Sequence, residues 1–251
     1  MMKEGSATAY YLYSPWLRIF HWVMVATIFT LFATGLYIGN PGFIGTQGKE
    51  PTYAVESLFS METIRYIHFS AAYMLVAAFI LRIYGFLMNK GDRLLPKFWT
   101  MLYWKGLVDT GLHYLFLRRE HKPYLRNSLA RTSYLAVYVM LAIEAVTGFA
   151  MYYMINPNGL GAALFSGFNH LFVDEYIVHL IHHYLAWCFM LFVIVHVYMV
   201  IRADFMEKEG EISSMFSGFK FYGHKPVDLG DIVDGKEKSD CPGDRQHSVT
   251  G

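Results

Sequence analysis

Four long apolar runs alternate with polar connections along the chain: Trp16 to Ile38, Thr63 to Leu87, Thr132 to Tyr153 and Leu180 to Ile201. A helix crossing the hydrocarbon core of a bilayer needs about 20 mostly apolar residues, and each run supplies them. Pro15 suits the first turn of the first helix. Asn40-Pro41-Gly42 and Asn156-Pro157-Asn158-Gly159 are turn signals that stop the first and third. The connection between the second and third runs is different in kind. It holds Phe98 to Val108 and Leu112 to Arg119, rich in tryptophan, tyrosine and leucine, with Lys105, Arg118 and Arg119 among them. Such segments are expected to lie on the membrane as amphipathic helices, because indole and phenol rings favour that depth. The pattern predicts an all-α integral membrane protein: a bundle of four transmembrane helices over residues 1–222, then a polar tail, 223–251, expected to be disordered.

Composition supports that class. Of 251 residues 55% are hydrophobic and 16% charged, and the mean hydropathy is +0.29, too apolar for an ordinary soluble domain. The first run begins only after Arg18 and ends without a small-residue cleavage site, so it reads as a retained anchor rather than a signal peptide. The net charge of +1 hides an uneven spread. Between Arg82 and Arg131 there are ten Lys or Arg against three acids; Ile38 to Ile67 has only Lys49 and Arg65, and Met154 to Ile181 has none. The positive-inside rule then puts both termini and the second connection in the cytoplasm. No nucleic-acid partner is expected.

Histidines carry the candidate chemistry. His182 and His196 lie on the fourth run, fourteen residues apart. At 100° per residue they fall within roughly 40° of one helix face, and at 1.5 Å per residue they stand roughly 21 Å apart along it. His183 paired with His196 would put the rings on nearly opposite faces, so His182 is the better partner. Intramembrane histidines are costly and mark function, and imidazole is a standard axial ligand of haem iron. His21 begins the first run, at the depth of His196; His68 begins the second, at the depth of His182. The four histidines thus predict two bis-histidine haems stacked across the membrane, with irons held by His21 and His196 on the cytoplasmic side and by His68 and His182 on the periplasmic side. Arg18 and Arg65 each precede a ligand by three residues, on the same face. They suit either a grip on haem propionates or a plain positive-inside flank.

Other residues are weighed more plainly. His113, His121, His170, His179, His183, His224 and His247 are expected at the surface or in loops, His113 being the one nearest the cytoplasmic haem. Glu144, in mid-span, is either a proton-relay carboxylate or a buried acid bonded to a neighbour. Gly35 and Gly148 make room either for porphyrin or for helix packing. Cys188 and Cys241 form no Cys-x-x-Cys-His and no cluster-binding set, which excludes covalent haem and an iron–sulfur cluster on this chain.

Several stretches resemble the b-type cytochrome subunit of membrane-bound Ni,Fe-hydrogenases. They are Arg18-Ile-Phe-His21-Trp22, Thr34-Gly35, Arg65-Tyr-Ile-His68-Phe-Ser-Ala, Thr147-Gly148-Phe149-Ala150, His182 through Trp187 to His196-Val-Tyr-Met, and Arg202-Ala-Asp204 to Gly218-Phe. The likeness covers residues 10 to 222. It implies a multi-pass protein of the bacterial inner membrane that binds two non-covalent haem b groups. It further implies a periplasmic hydrogenase, with a large Ni-Fe subunit and a small iron–sulfur subunit, anchored by this chain. Electrons from the small subunit would reach menaquinone or ubiquinone, and no hydrogen-activating site would lie on the chain itself. The related cytochrome b subunit of formate dehydrogenase is the nearest rival. A haem-free transporter or anchor is the rival of another class.

Overall fold

In a computed structural model the described residues are 8–39, 60–88, 96–115, 117, 128–155, 158–171, 175–207 and 209–222. They form two short strands, β1 (Thr8–Tyr11) and β2 (Phe219–Tyr222), and seven α-helices. In order the helices are α1 (Pro15–Gly39), α2 (Met61–Met88), α3 (Met101–Tyr114), α4 (Ser128–Tyr152), α5 (Leu160–Leu171), α6 (Glu175–Glu207) and α7 (Glu211–Ser217). Four of them, α1, α2, α4 and α6, are long and apolar enough to cross a membrane. The predicted tail from residue 223 and the two turn signals' Pro41 and Pro157 lie outside the described residues.

Residues Ile19–Met88 and Tyr134–Val197 make one compact unit. Its middle is a knot of apolar side chains from all four long helices. Leu75, Val137, Leu141 and Phe189 are buried there against Met24, Ile28, Leu31, Phe79 and Phe192. The outward faces carry large exposed apolar groups such as Phe29, Ile80, Leu81, Leu191 and Ile194. That is what lipid rather than water would tolerate. Helix starts are set locally: Ser14 Oγ accepts from the backbone N–H of Leu17, and Ser60 Oγ from that of Thr63, each satisfying an orphan donor. Aromatic rings crowd the α4 C-terminus, where Tyr73 OH lies 3.3 Å from Tyr153 OH and the Tyr153 ring stacks on Phe165 of α5. Gly161 leaves space for that ring, since a Cβ there would stand 2.3 Å from it.

The second unit gathers the described residues up to Arg18, those of 96–133 and those from Tyr198 onward. Here α3 buries Tyr103, Gly106, Thr110 and His113 and exposes Met101, Leu102, Trp104 and Val108, an amphipathic helix as expected. Tyr103 OH bonds Thr132 and the Ser128 carbonyl. Arg202 lies 5.4 Å over the Tyr114 ring. His113 is buried, which corrects the surface placement expected from sequence: the 3–4 spacing from Gly106 and Thr110 puts it on the buried face. Strands β1 and β2 pair antiparallel, with Thr8 opposite Tyr222 and Tyr11 opposite Phe219. Gly218 turns the chain between α7 and β2 at φ +89°, and a Cβ there would meet the Tyr13 carbonyl at 2.8 Å.

Lys220, on β2, is buried and forms an ion pair with Glu211. Burial alone would pull the ammonium's pKa down; the Glu211 carboxylate, then Tyr222 and Glu209, overcome it and hold the pKa above its usual value. A raised lysine pKa contributes stability that is fully present below about pH 10.5 and is lost as pH climbs through the folded value. Glu211→Gln should therefore destabilise this β1–α7–β2 region by about 3–5 kcal/mol, because it leaves a buried charge alone. Faster backbone amide exchange in β2 at neutral pH is the readout, and unchanged exchange would refute the pair's role.

Candidate functional site

The two outer ligands predicted from sequence, His68 on α2 and His182 on α6, line one cavity of about 530 Å³ within the first unit. That is within the usual range for small-molecule and cofactor sites. Gly35, Gly148, Arg65 and Glu144 share its wall. Each histidine faces a Thr-Gly pair on the preceding long helix. Thr34 Oγ1 lies 2.8 Å from His68 Nδ1, and Thr147 Oγ1 lies 3.0 Å from His182 Nδ1. The glycines complete the fit: a Cβ at Gly35 would stand 3.5 Å from His68 Cε1, and one at Gly148 only 3.2 Å from His182 Cε1.

A count of protons favours one tautomer at each ring. Each threonine hydroxyl has one proton and donates it to its own helix, Thr34 to the Thr30 carbonyl at 2.6 Å and Thr147 to the Ile143 carbonyl at 2.8 Å. The hydroxyl oxygen can then only accept from the imidazole. Nδ1 carries the hydrogen in both rings, and Nε2 carries the lone pair. His182 has a further acceptor, since Glu144 Oε2 sits 2.6 Å from the same Nδ1. A metal-binding histidine is oriented in this way, its other nitrogen donating to a fixed oxygen. The donor set and the open glycine wall fit a flat haem held through Nε2.

His183 is arranged otherwise. Its Nε2 accepts from Trp187 Nε1 at 3.3 Å, one turn along α6, which occupies the lone pair a metal would need. His179, exposed at the start of α6 as expected, and His183, half-buried one turn on, both border the cavity. His121, His224 and His247 lie outside the described residues, as does the side chain of His170.

The other two predicted ligands also meet. The rings of His21 on α1 and His196 on α6 have centroids 6.5 Å apart, and Phe192 stacks on His196 at 5.6 Å. His21 Nδ1 is buried and has no hydrogen-bond partner among the described residues. Between this pair and the cavity lies the apolar knot of Leu75, Leu141 and Phe189. Arg18 donates to the Phe216 backbone carbonyl, whereas Arg65 is exposed and borders the cavity. Among the described residues no cluster of three or more His, Cys, Asp or Glu could hold a bare metal ion.

Residues 12–218 match the model of the prokaryotic cytochrome b561 family. The chain belongs to that family. Similar proteins include the "probable Ni/Fe-hydrogenase B-type cytochrome subunit" of Azotobacter vinelandii, 34% identical over 88% of this chain and 92% of the relative. The protein of the same description in Rhizobium leguminosarum bv. viciae is 33% identical over 84% and 89%. A "probable Ni/Fe-hydrogenase 1 B-type cytochrome subunit" of Escherichia coli K12 is 30% identical over 87% and 93%. Membership of this family makes the chain a multi-pass b-type cytochrome of a bacterial membrane. A b-type cytochrome carries haem b, and the histidines above are its candidate ligands.

Proposed function

We propose that this chain is a di-haem cytochrome b that anchors a periplasmic Ni,Fe-hydrogenase and passes its electrons to quinone. His68 and His182 hold the periplasmic-side haem iron, and His21 and His196 the cytoplasmic-side one. Bound haem b supplies a one-electron Fe(III)/Fe(II) couple. The chain takes electrons from the hydrogenase's small iron–sulfur subunit at its outer end. It delivers them to menaquinone or ubiquinone at its inner end, with both termini in the cytoplasm. Arg65, at the cavity edge, is placed to meet a propionate, and Arg18 to brace the chain near Phe216. The observation that carries the reading is the pair of Thr-Gly clasps, which leave the Nε2 lone pairs of His68 and His182 available as iron ligands. The names of the relatives support the hydrogenase as partner rather than a formate dehydrogenase.

The test is the reduced-minus-oxidised spectrum of the purified chain with its haem-to-protein ratio, followed by addition of hydrogen or formate to membranes. A b-type spectrum at about two haems per chain, reduced by hydrogen, is expected. His21→Ala should remove one haem and leave the other. A folded chain with no haem would overturn the reading in favour of a haem-free transporter or anchor, and reduction by formate alone would replace the partner.

A further inference from the structure

Resting on the outer-haem reading above, we propose that Glu144 is a positioning residue for His182 and that its carboxylate lowers the potential of the outer haem. The two Thr-Gly clasps are alike except at one place. Three residues before Thr147 stands Glu144; three residues before Thr34 stands Leu31. Both lie one helical turn back on the same face. Leu31 packs in the apolar knot, while Glu144 Oε2 reaches His182 Nδ1 at 2.6 Å. His68 thus gives its Nδ1 hydrogen to a neutral hydroxyl, and His182 gives its own to a hydroxyl and a carboxylate together. At the inner pair nothing comparable reaches His21, whose Nδ1 has no partner among the described residues.

The consequence follows from charge. A carboxylate on Nδ1–H makes the imidazole a more electron-rich ligand at Nε2. It also places negative charge near the iron in a medium of low dielectric. Both favour the ferric over the ferrous state, so the potential of the haem that His182 holds is lowered. The Nδ1 hydrogen stays on the ring throughout, and one electron enters and leaves without a proton. Lowering the outer potential favours the inward step, and it offsets part of the cost of moving an electron toward a negative interior, about 2.3 kcal/mol per charge for each 100 mV.

Redox potentiometry of the full chain in membranes, read at the haem absorption bands with haem-to-protein ratio measured in parallel, tests this. Glu144→Gln keeps the side chain's size and a carbonyl acceptor but removes its charge; Glu144→Leu copies the Leu31 position. In the glutamine variant one of the two midpoint potentials should shift upward and the other should not move. In the leucine variant the shift should be larger. Two haems with both potentials unmoved in both variants would overturn the proposal while leaving the di-haem reading intact. No haem in the wild-type chain would sink the reading itself. Should the glutamine variant hold only one haem, Glu144→Asp, which keeps the charge, should restore the second; failure to restore it would also overturn the proposal.

Discussion

Replacing His182 with alanine should remove one of the two proposed haems, whereas replacing His183 with alanine should leave both. The two residues are neighbours with the same side chain, so their difference is purely one of arrangement. His182 has its Nδ1 hydrogen held by Thr147 and Glu144, and its lone pair stands free on Nε2 in the cavity. His183 spends its Nε2 lone pair on the Trp187 indole. Turning it into a ligand would break that bond and move the ring by about 100° around α6. Loss of the ligating imidazole leaves His179, one turn back and exposed at the helix start, and His196, roughly 21 Å along the axis, neither of them at the place of the lost ring. Haem content measured against folded protein checks the pair of variants. Loss of haem in His183→Ala alone would transfer the ligand and break the fourteen-residue register with His196.

Much of this site was legible in the sequence because the bilayer is a strict solvent. It demands long apolar helices, and any imidazole within one stands out. The expected spans Trp16–Ile38, Thr63–Leu87 and Thr132–Tyr153 match α1, α2 and α4 to within a few residues. The fourth run is shorter than its helix: α6 extends from Glu175 to Glu207, beyond Leu180–Ile201, because Glu175 and His179 at one end and Arg202, Asp204 and Glu207 at the other interrupt the apolar run without breaking the helix. Helix α5 lies in the connection between the third and fourth apolar runs, where the pattern announces no helix. Its Gly161 and Gly167 argue against a helix on propensity, and the compensation is a tertiary one, the Tyr153 ring seated over Gly161. The β1–β2 pairing joins residues over 200 positions apart, and no local pattern announces it.

The clasps were hidden for a related reason. Thr34-Gly35 and Thr147-Gly148 are visible as a repeated dipeptide. That each threonine serves a histidine is knowable only once α1 is beside α2 and α4 beside α6 within the unit. The same holds for Glu144. Sequence left it between a proton relay and an acid bonded to a neighbour, and the neighbour proves to be His182. The glycines, open between porphyrin and helix packing, each face a histidine ring.

Gly148→Ala should weaken haem binding at the outer site by roughly 10- to 100-fold, the usual cost of disturbing a group that orients a metal ligand, while Gly35→Ala should change it by no more than a few-fold. The two substitutions are chemically identical and sit at matching places in the two clasps. A Cβ at Gly35 would lie 3.5 Å from His68 Cε1, an ordinary contact. At Gly148 it would lie 3.2 Å from His182 Cε1, so something must give. His182 cannot retreat freely, because Thr147 and Glu144 hold its Nδ1 from the same helix that bears the new methyl. The ring must tilt, and Nε2 tilts with it. Haem titration into the haem-depleted chain, followed at the outer-site absorption band, separates the two variants. Equal losses in both would mean that the glycines serve helix approach in general. A loss confined to Gly148→Ala ties it to the one imidazole gripped from two sides.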